Sequence, residues 1–230
     1  MIKLIKQLVD KKKTYYFSLS MGIDSVAAYF YLANKLHKVI PIHINHKLRP
    51  QNDLMEQKYI ELCKHHHHQP IIFNGFDLKT ESDCRDFRIN SFEELAIKHK
   101  RATSHYNNNT DAIEIITAHH LNDWVESYLI NCFRGQPENK VFSLLSDFGN
   151  FKIIHPFLLT KKKDFKQYLI RNNYGRFVVE DETNGFSQGS RRNWIRNFVI
   201  PEMKNQKISL EKYAKRSITK LTQELDSVKI

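Results

Sequence analysis

A chain of 230 residues with 41% hydrophobic and 12% aromatic residues is long enough for one substantial α/β core and too apolar for a disordered protein. Its three cysteines show no Cys-x-x-Cys spacing and no apolar run approaches membrane-spanning length. These features argue against a zinc or iron–sulfur site, a disulfide framework and a transmembrane helix, so we expect a cytoplasmic protein. The 36 lysines and arginines outnumber the 25 acidic residues by 11, which suits a polyanionic partner, either nucleic acid or an acidic membrane.

The amino-terminal part predicts a helix, a strand and a second helix. Apolar residues recur at helical spacing in residues 1–13, which indicates a short basic amphipathic helix. A β-prone run at 14–18 and a helix-prone run at 26–36 follow. Between these two runs lies the hexapeptide Ser20-Met21-Gly22-Ile23-Asp24-Ser25, and the rest of the chain is interpreted around it.

A strand, a short Ser/Gly turn and a helix direct backbone N–H groups and a helix N-terminus at an anion. Gly22 allows a sharp turn and close approach of a ligand, and Ser20 and Ser25 add hydroxyl donors. Asp24 fits beside a phosphate if a divalent cation lies between them. A turn capped by serine and aspartate is the alternative. The turn is not a Walker A loop, because no Gly-Lys-Ser/Thr follows.

Two further strands are predicted at 39–44 and 70–73, with a helix at 55–64 between them. His46 follows the first of these strands, where open α/β sheets bind ligands, although a lone histidine there is more often structural. Four consecutive histidines, His65–His68, are interpreted as a solvated loop.

A long helix is predicted at 81–105, and a fourth strand at 112–118. On that helix Arg85 and Arg88 lie three residues apart and either bind phosphate or form surface salt bridges. The helix after the fourth strand carries Asp123 and Glu126 as i, i+3 neighbours. The two carboxylates could share a Mg²⁺ ion, receive a cationic amine, or complement the helix dipole.

Arg134-Gly135 is predicted to end that helix, with Gly135 as its C-cap. The remaining elements are a fifth strand at 152–159, a basic helix at 161–172 capped by Thr160, an acidic turn at 178–185 and a last exposed helix at 208–228. Before that helix, the segment 190–197 carries three arginines around Trp194, which is good chemistry for contacts with phosphates and bases.

The hexapeptide resembles the PP-loop of N-type ATP pyrophosphatases, Ser-Gly-Gly-x-Asp-Ser, with Met21 in place of the first glycine. With further blocks in the same order, residues 14–203 resemble the tRNA(Ile)-lysidine synthetase family of the PP-loop superfamily. The blocks are 20–25, 43–50, 85–88, 117–126, 133–135, 155–159, 180–184 and 192–196.

The element order and the resemblance predict an α/β fold with a mostly parallel, five-stranded, doubly wound sheet. We expect a PP-loop catalytic domain at 1–204 and a helical tail at 205–230. The family has C-terminal tRNA-binding domains beyond this core. A minimal form of the enzyme would therefore hold tRNA with its basic core surface or through a second subunit in a homodimer.

The resemblance implies that ATP adenylates C2 of the wobble cytidine of tRNA(Ile), which has a CAU anticodon. Free L-lysine then attacks that carbon and expels AMP to form lysidine. It also implies the site residues. ATP is assigned to Ser20, Met21, Gly22, Ile23, Asp24, Ser25 and His46; Mg²⁺ to Asp24 and Asp123; catalysis to Asp24, Arg88, Asp123 and Glu126; and tRNA to Arg85, Arg134, Arg192, Asn193 and Arg196.

Two departures from the family pattern stand in the binding blocks. The Met21 side chain could crowd the β- and γ-phosphates, and Trp124 stands where the family commonly has glutamine. Two other functions stay open: a PP-loop tRNA thiolase, a class that usually has paired catalytic cysteines, and a non-catalytic RNA-binding module with a degenerate PP-loop.

Overall fold

The computed structural model, which describes residues 1–36, 38–103, 112–180 and 191–228, contains one sheet of six strands in the order β3-β2-β1-β4-β6-β5. The strands are β1 (Thr14–Ser18), β2 (Lys38–Asn45), β3 (Ile72–Asn74), β4 (Ile113–Ile116), β5 (Leu145–Asp147) and β6 (Phe151–Ile154). Only the β5–β6 pair is antiparallel among these strands. The predicted α/β class with a mostly parallel sheet is confirmed.

The sheet has six strands where the sequence predicted five. The additional strand is β5, a three-residue edge strand that pairs with β6 through a tight turn at 148–150. Gly149 in that turn has a φ of 84°, which side chains rarely adopt. A strand of three residues, one of them charged, is too short to show the alternation of apolar and polar residues from which strands are predicted.

Helices cover both faces of the sheet. They are α1 (Ile23–Ala33), α2 (Pro50–His65), α3 (Glu81–Thr103), α4 (Leu121–Phe133), α5 (Lys162–Asn172), α6 (Arg191–Trp194), α7 (Ile200–Asn205) and α8 (Glu211–Val228). A π-helical turn at Ile195–Val199 joins α6 to α7. Two 3-10 turns lie at Lys6–Leu8 and Gly175–Phe177. Among the helices described, none is long and apolar enough to cross a membrane.

The alternation of side chains along β1 separates two layers of the core. Tyr15 and Phe17 pack with α1, α2 and α5 on one face, whereas Tyr16 packs with Phe92 of α3 on the other. A third cluster lies around α4, where Ile218 of α8 is fully buried. The prediction that the last helix is exposed is therefore wrong for this side of α8, while the division of domains at residue 204 stays a prediction.

The amino-terminal segment differs from its prediction. Only Lys6–Leu8 form a helical turn, because the backbone before it is paired elsewhere. The Ile5 amide donates to the carbonyl of Pro156 at 2.8 Å, and the Lys3 amide donates to the Thr160 hydroxyl at 3.0 Å. Thr160 hydrogen-bonds the N-terminal segment through its hydroxyl, so the predicted cap of α5 is wrong. Lys161 occupies the N-cap, and its side chain makes no capping hydrogen bond to the helix.

Candidate functional site

The candidate site lies at the carboxyl edge of the sheet, where β1, β2 and β4 end together. In a parallel sheet, the loops that leave this edge carry ligand-binding groups. Here the loop after β1 leads to Asp24 in the first turn of α1, and the loop after β4 leads to Asp123 in the first turn of α4. Two distant parts of the sequence are thereby brought together.

The first loop is held in shape by its own hydroxyls and backbone. Ser20 Oγ donates to Ser25 Oγ at 3.1 Å, and Ser25 Oγ donates to the Gly22 carbonyl at 3.0 Å. Gly22 is the N-cap of α1, and no side chain caps the amides of that first turn. An uncapped helix N-terminus facing a cleft is a suitable place for a phosphate group.

Met21 occupies the position where the PP-loop pattern has glycine. Its φ of 62° lies in the left-handed region, which costs a residue with a Cβ about 1–2 kcal/mol. Its side chain is fully buried in the core beside α1, and its carbonyl accepts a hydrogen bond from Val179 N at 2.9 Å. The side chain therefore points away from the cleft, which removes the expected crowding of the phosphates. Met21 could therefore contact ATP only through its backbone.

A cleft of about 550 Å³ opens beside this loop, within the size range of small-molecule sites. Ser20, Gly22, Ile23 and Asp24 line one side of it. Three cationic side chains, those of Arg49, Lys162 and Arg196, also line it, together with Glu180 and uncharged residues. Such a lining suits a polyphosphate. Lys162, which belongs to the basic helix predicted at 161–172, borders this cleft with its Nζ 3.9 Å from Asp24 Oδ2.

His120 joins the two aspartates. Its Nε2 lies 3.3 Å from Asp24 Oδ2, and its Nδ1 lies 3.1 Å from Asp123 Oδ2. Burial acts to lower the pKa of His120, but the two carboxylates outweigh it and the pKa is raised. Burial likewise acts to raise the pKa of Asp123, yet the neighbouring histidines, His120 first, lower it. The arrangement favours an imidazolium between two carboxylates.

Asp24 and Asp123 fit a divalent cation in part. Asp24 Oδ1 is buried and has no hydrogen-bond partner among the described residues. Such an oxygen needs a ligand, because burying it unpaired is costly. Within the described ranges, no three His, Cys, Asp or Glu side chains are placed to hold a metal. A cation bound by one or two carboxylates together with substrate phosphates, as Mg²⁺ often is, agrees with both observations.

Glu126 lies one turn beyond Asp123 on α4 and is buried against Arg196. The guanidinium donates two hydrogen bonds, from Nε to Oε1 at 2.8 Å and from Nη2 to Oε2 at 2.7 Å. The bond to Glu126 raises the pKa of Arg196. Arg192 adds a hydrogen bond to the Ser127 hydroxyl at 2.9 Å. Glu126 thus fixes an arginine that lines the cleft.

The other predicted site residues lie outside the lining of this cleft. Arg88 is partly buried near His46. Burial lowers the pKa of both groups, and the charge of Arg88 lowers the pKa of His46 further. His46 Nδ1 is buried without a partner among the described groups. Arg85 and Arg134 are exposed, the latter at the C-cap of α4, where the predicted C-terminal glycine, Gly135, has a φ of 71°.

The sequence reasoning missed three groups at this edge of the sheet. His120 was part of a quoted block but received no role; its position just before an aspartate at a helix start was the signal. Thr117 and His155 form a partly buried hydrogen bond of 2.6 Å behind it. Arg49 lies at the N-cap of α2. The predicted acidic turn cannot be compared with the structure beyond Glu180, since positions 181–185 lie outside the described residues.

Comparison with known proteins adds a family to this geometry. A family model described as a PP-loop domain matches residues 1–203. Curated tRNA(Ile)-lysidine synthases are similar to the chain. The protein of Buchnera aphidicola is 29% identical over 86% of this chain, that of Streptococcus mutans 29% over 90%, and that of Staphylococcus aureus 32% over 80%. The matched regions are 44%, 47% and 42% of those proteins, so the chain spans less than half of their length.

A solved structure supports the fold. A U34-tRNA thiolase from Methanococcus maripaludis superposes with a TM-score of 0.68. The match covers 95% of this chain and 74% of the thiolase at 16% identity, a likeness that shows the fold alone.

Proposed function

Since this chain belongs to the PP-loop domain family, we propose that it is an ATP-dependent tRNA-modifying ligase. It would adenylate the wobble cytidine of tRNA(Ile) and join free L-lysine to it, with release of pyrophosphate and AMP. One observation carries the proposal: the loop aspartate Asp24 and the α4 aspartate Asp123 meet on either side of His120 at the edge of a nucleotide-sized cleft. The reaction that we propose is inferred from similar proteins, which are named tRNA(Ile)-lysidine synthase.

In this proposal the triphosphate lies at the N-terminus of α1. The amides of the first turn and the hydroxyls of Ser20 and Ser25 would hold its oxygens. Asp24 and Asp123 would hold Mg²⁺, which neutralises charge on the phosphate oxygens when bound. Lys162 and Arg196 offset the charge that develops during displacement at the α-phosphorus.

The first step forms a bond between cytidine O2 and the α-phosphorus and breaks the bond to the β-phosphate, so pyrophosphate leaves. In the second step the lysine ε-amine attacks C2 and AMP leaves. The ammonium must lose a proton before it attacks. We assign reception of the amine to the acidic end of α4. Because Glu126 is paired with Arg196 through both carboxylate oxygens, we assign it the positioning of that arginine, and we assign reception of the amine to Asp123, whose Oδ2 faces His120.

A transfer assay tests the proposal. The chain is incubated with labelled ATP, L-lysine and tRNA(Ile), and pyrophosphate release is measured with incorporation of labelled lysine. We expect release that depends on lysine and fails with Nε-acetyl-lysine, which has no nucleophilic ε-amine. A tRNA with uridine at the wobble position is the matched control and should give no product.

The outcomes separate the competing functions. Pyrophosphate release that ignores lysine would contradict the ligase and indicate another nucleophile. The thiolase reading has little support from the three cysteines: Cys63 is buried in the core, and burial raises the pKa of its thiol. Intact tRNA binding without any turnover would favour a non-catalytic binding module.

A further inference from the structure

Two large aromatic side chains contact each other on the surface beyond the cleft. Phe133 at the end of α4 and Trp194 at the end of α6 have ring centroids 5.5 Å apart with an interplanar angle of 59°. Phe133 is 53% exposed and Trp194 is 48% exposed. Rings this exposed bury little apolar area against each other, so their packing stabilises the fold little. Their exposed faces are available to bind a ligand.

The aromatic pair lies on the side of α4 that also carries Glu126. Phe133 follows Glu126 by seven residues, so the two lie on the same side of α4, about 10 Å apart along the helix axis. The opposing segment repeats this order, because Arg196 contacts Glu126 while Trp194 contacts Phe133. One continuous surface therefore runs from the proposed reaction centre to the two rings.

The surroundings of the pair are basic. Arg134 follows Phe133 directly and is exposed, and Arg191 is exposed at the start of α6. Arg192 lies between them and the cleft, bonded to Ser127. Aromatic rings among arginines form a surface that stacks bases and binds phosphates, whereas an apolar surface for a protein partner is usually poor in charge.

A purely structural role for Trp194 is weak. The adjacent Ile195 is fully buried in the cluster around α4 and anchors this segment without help from the tryptophan. Arg196 adds its double hydrogen bond to Glu126. Removal of the Trp194 ring should therefore leave the fold intact, which makes the residue suitable for a binding experiment.

We propose that Phe133 and Trp194 form a stacking site for unpaired bases of the RNA substrate, next to the nucleotide that enters the cleft. The inference rests on the proposed function and names how the bases beside the reacting one are held. Stacking of this kind tolerates any base, because every base has a π-face.

The test measures binding of a labelled anticodon stem-loop of tRNA(Ile) to four variants. Trp194→Ala and Phe133→Ala should weaken binding by about tenfold or more, and Trp194→Phe should stay within about threefold of the unchanged protein. Phe148→Ala is the matched control. Phe148 is also about half exposed and ring-stacked, at 4.8 Å on Phe151, but lies in the β5–β6 turn at the opposite edge of the sheet. The Phe148→Ala variant should bind the stem-loop with the affinity of the unchanged protein.

A spectroscopic reading separates stacking from a structural effect. The chain has two tryptophans, and Trp124 is only 4% exposed, so Trp124→Phe leaves Trp194 as the one reporter. We expect its fluorescence to be quenched when single-stranded RNA binds. The slope of affinity against salt concentration should be unchanged in Trp194→Ala, because no phosphate contact is lost, and lower in Arg134→Ala.

Each outcome decides the inference. Equal affinity of all variants, with lysine-dependent turnover intact, would overturn the stacking site and leave the proposed function standing. A change from dimer to monomer in Trp194→Ala, measured by sedimentation, would show that a second copy covers the rings and would also overturn it. Failure of the unchanged protein both to bind the stem-loop and to release pyrophosphate would contradict the proposed function, and the stacking site with it.

Discussion

The two strand–loop–helix units that meet at the cleft, β1–α1 and β4–α4, each place an aspartate in the first turn of the helix, but the two helices begin differently. The first turn of α1 has no side-chain cap, and Asp24 keeps a buried oxygen without a partner among the described residues. The first turn of α4 is closed by Asp123, which accepts a hydrogen bond from the His120 amide at 2.9 Å and pairs with the His120 ring at 3.1 Å. The helix N-terminus of the first unit is open for a ligand, whereas that of the second unit is already capped.

This difference separates function from stability within a single site. In the open unit, a change of a side chain that lines the cleft should remove ligand contacts and leave the fold intact. In the closed unit, a change should leave buried charges without partners and lower the free energy of unfolding. Four experiments test the contrast, beginning with the largest expected effect.

The first changes the open unit. Asp24→Asn should lower lysine-dependent pyrophosphate release by about 1,000-fold, because the neutral amide cannot hold a cation against the phosphates. Its free energy of unfolding should stay within about 1 kcal/mol of the unchanged protein, since the Asp24 side chain is 29% exposed and the amide oxygen can still accept a hydrogen bond from His120 Nε2. Steady-state kinetics and urea unfolding measure the two effects.

Asp53→Asn is the control for Asp24→Asn. Asp53 also lies in the first turn of a helix, α2, but pairs on the surface with Lys47 at 2.6 Å. Surface pairs of this kind contribute little to stability, so both activity and stability should be preserved. An Asp24→Asn variant that turns over normally would break the assignment of cation and phosphate to the open unit.

The second experiment changes the closed unit. His120→Ala leaves Asp123 buried beside Asp24 without the imidazolium between them, so the free energy of unfolding should fall by about 3–5 kcal/mol. His120→Gln keeps one N–H donor and should recover part of this loss. Urea denaturation followed by circular dichroism measures both variants. Unchanged stability in His120→Ala would mean that the closed unit is not a structural support.

The third experiment addresses Met21. Met21→Gly relieves the left-handed backbone but removes a fully buried side chain, and the second effect is larger. We expect a net loss of about 2 kcal/mol with an unchanged KM for ATP, because the side chain points into the core. Asn173→Gly is the control, since its φ is 57° at the C-cap of α5 and it should be neutral or slightly stabilising. A lower KM for ATP in Met21→Gly would mean that the Met21 side chain does crowd the phosphates, as the sequence suggested.

The sequence predicted the sheet and both aspartates because these depend on local patterns. Strand β1 was predicted with its observed bounds, 14–18, since threonine and aromatic residues favour strands. His120 was missed because its role depends on Asp24, which lies 96 residues away in the chain and in another unit. The direction of the Met21 side chain was missed for a similar reason, since it depends on the core packed against α1. The roles of the predicted site residues stay predictions.

The last experiment uses pH to test the support behind the closed unit. Burial, with a contribution from the nearby His119, lowers the pKa of His155 to about 3. In the unfolded chain this imidazole takes up a proton near pH 6.5, whereas in the fold it stays neutral, so stability is full above pH 6.5 and falls as the pH is lowered from there. His155→Asn keeps a partner for the Thr117 hydroxyl but cannot take up a proton. Between pH 6.5 and 4.5 it should therefore lose about 2 kcal/mol less free energy of unfolding than the unchanged protein. The exposed His67→Asn is the control and should follow the unchanged protein; a His155→Asn curve that also follows it would place the acid sensitivity elsewhere.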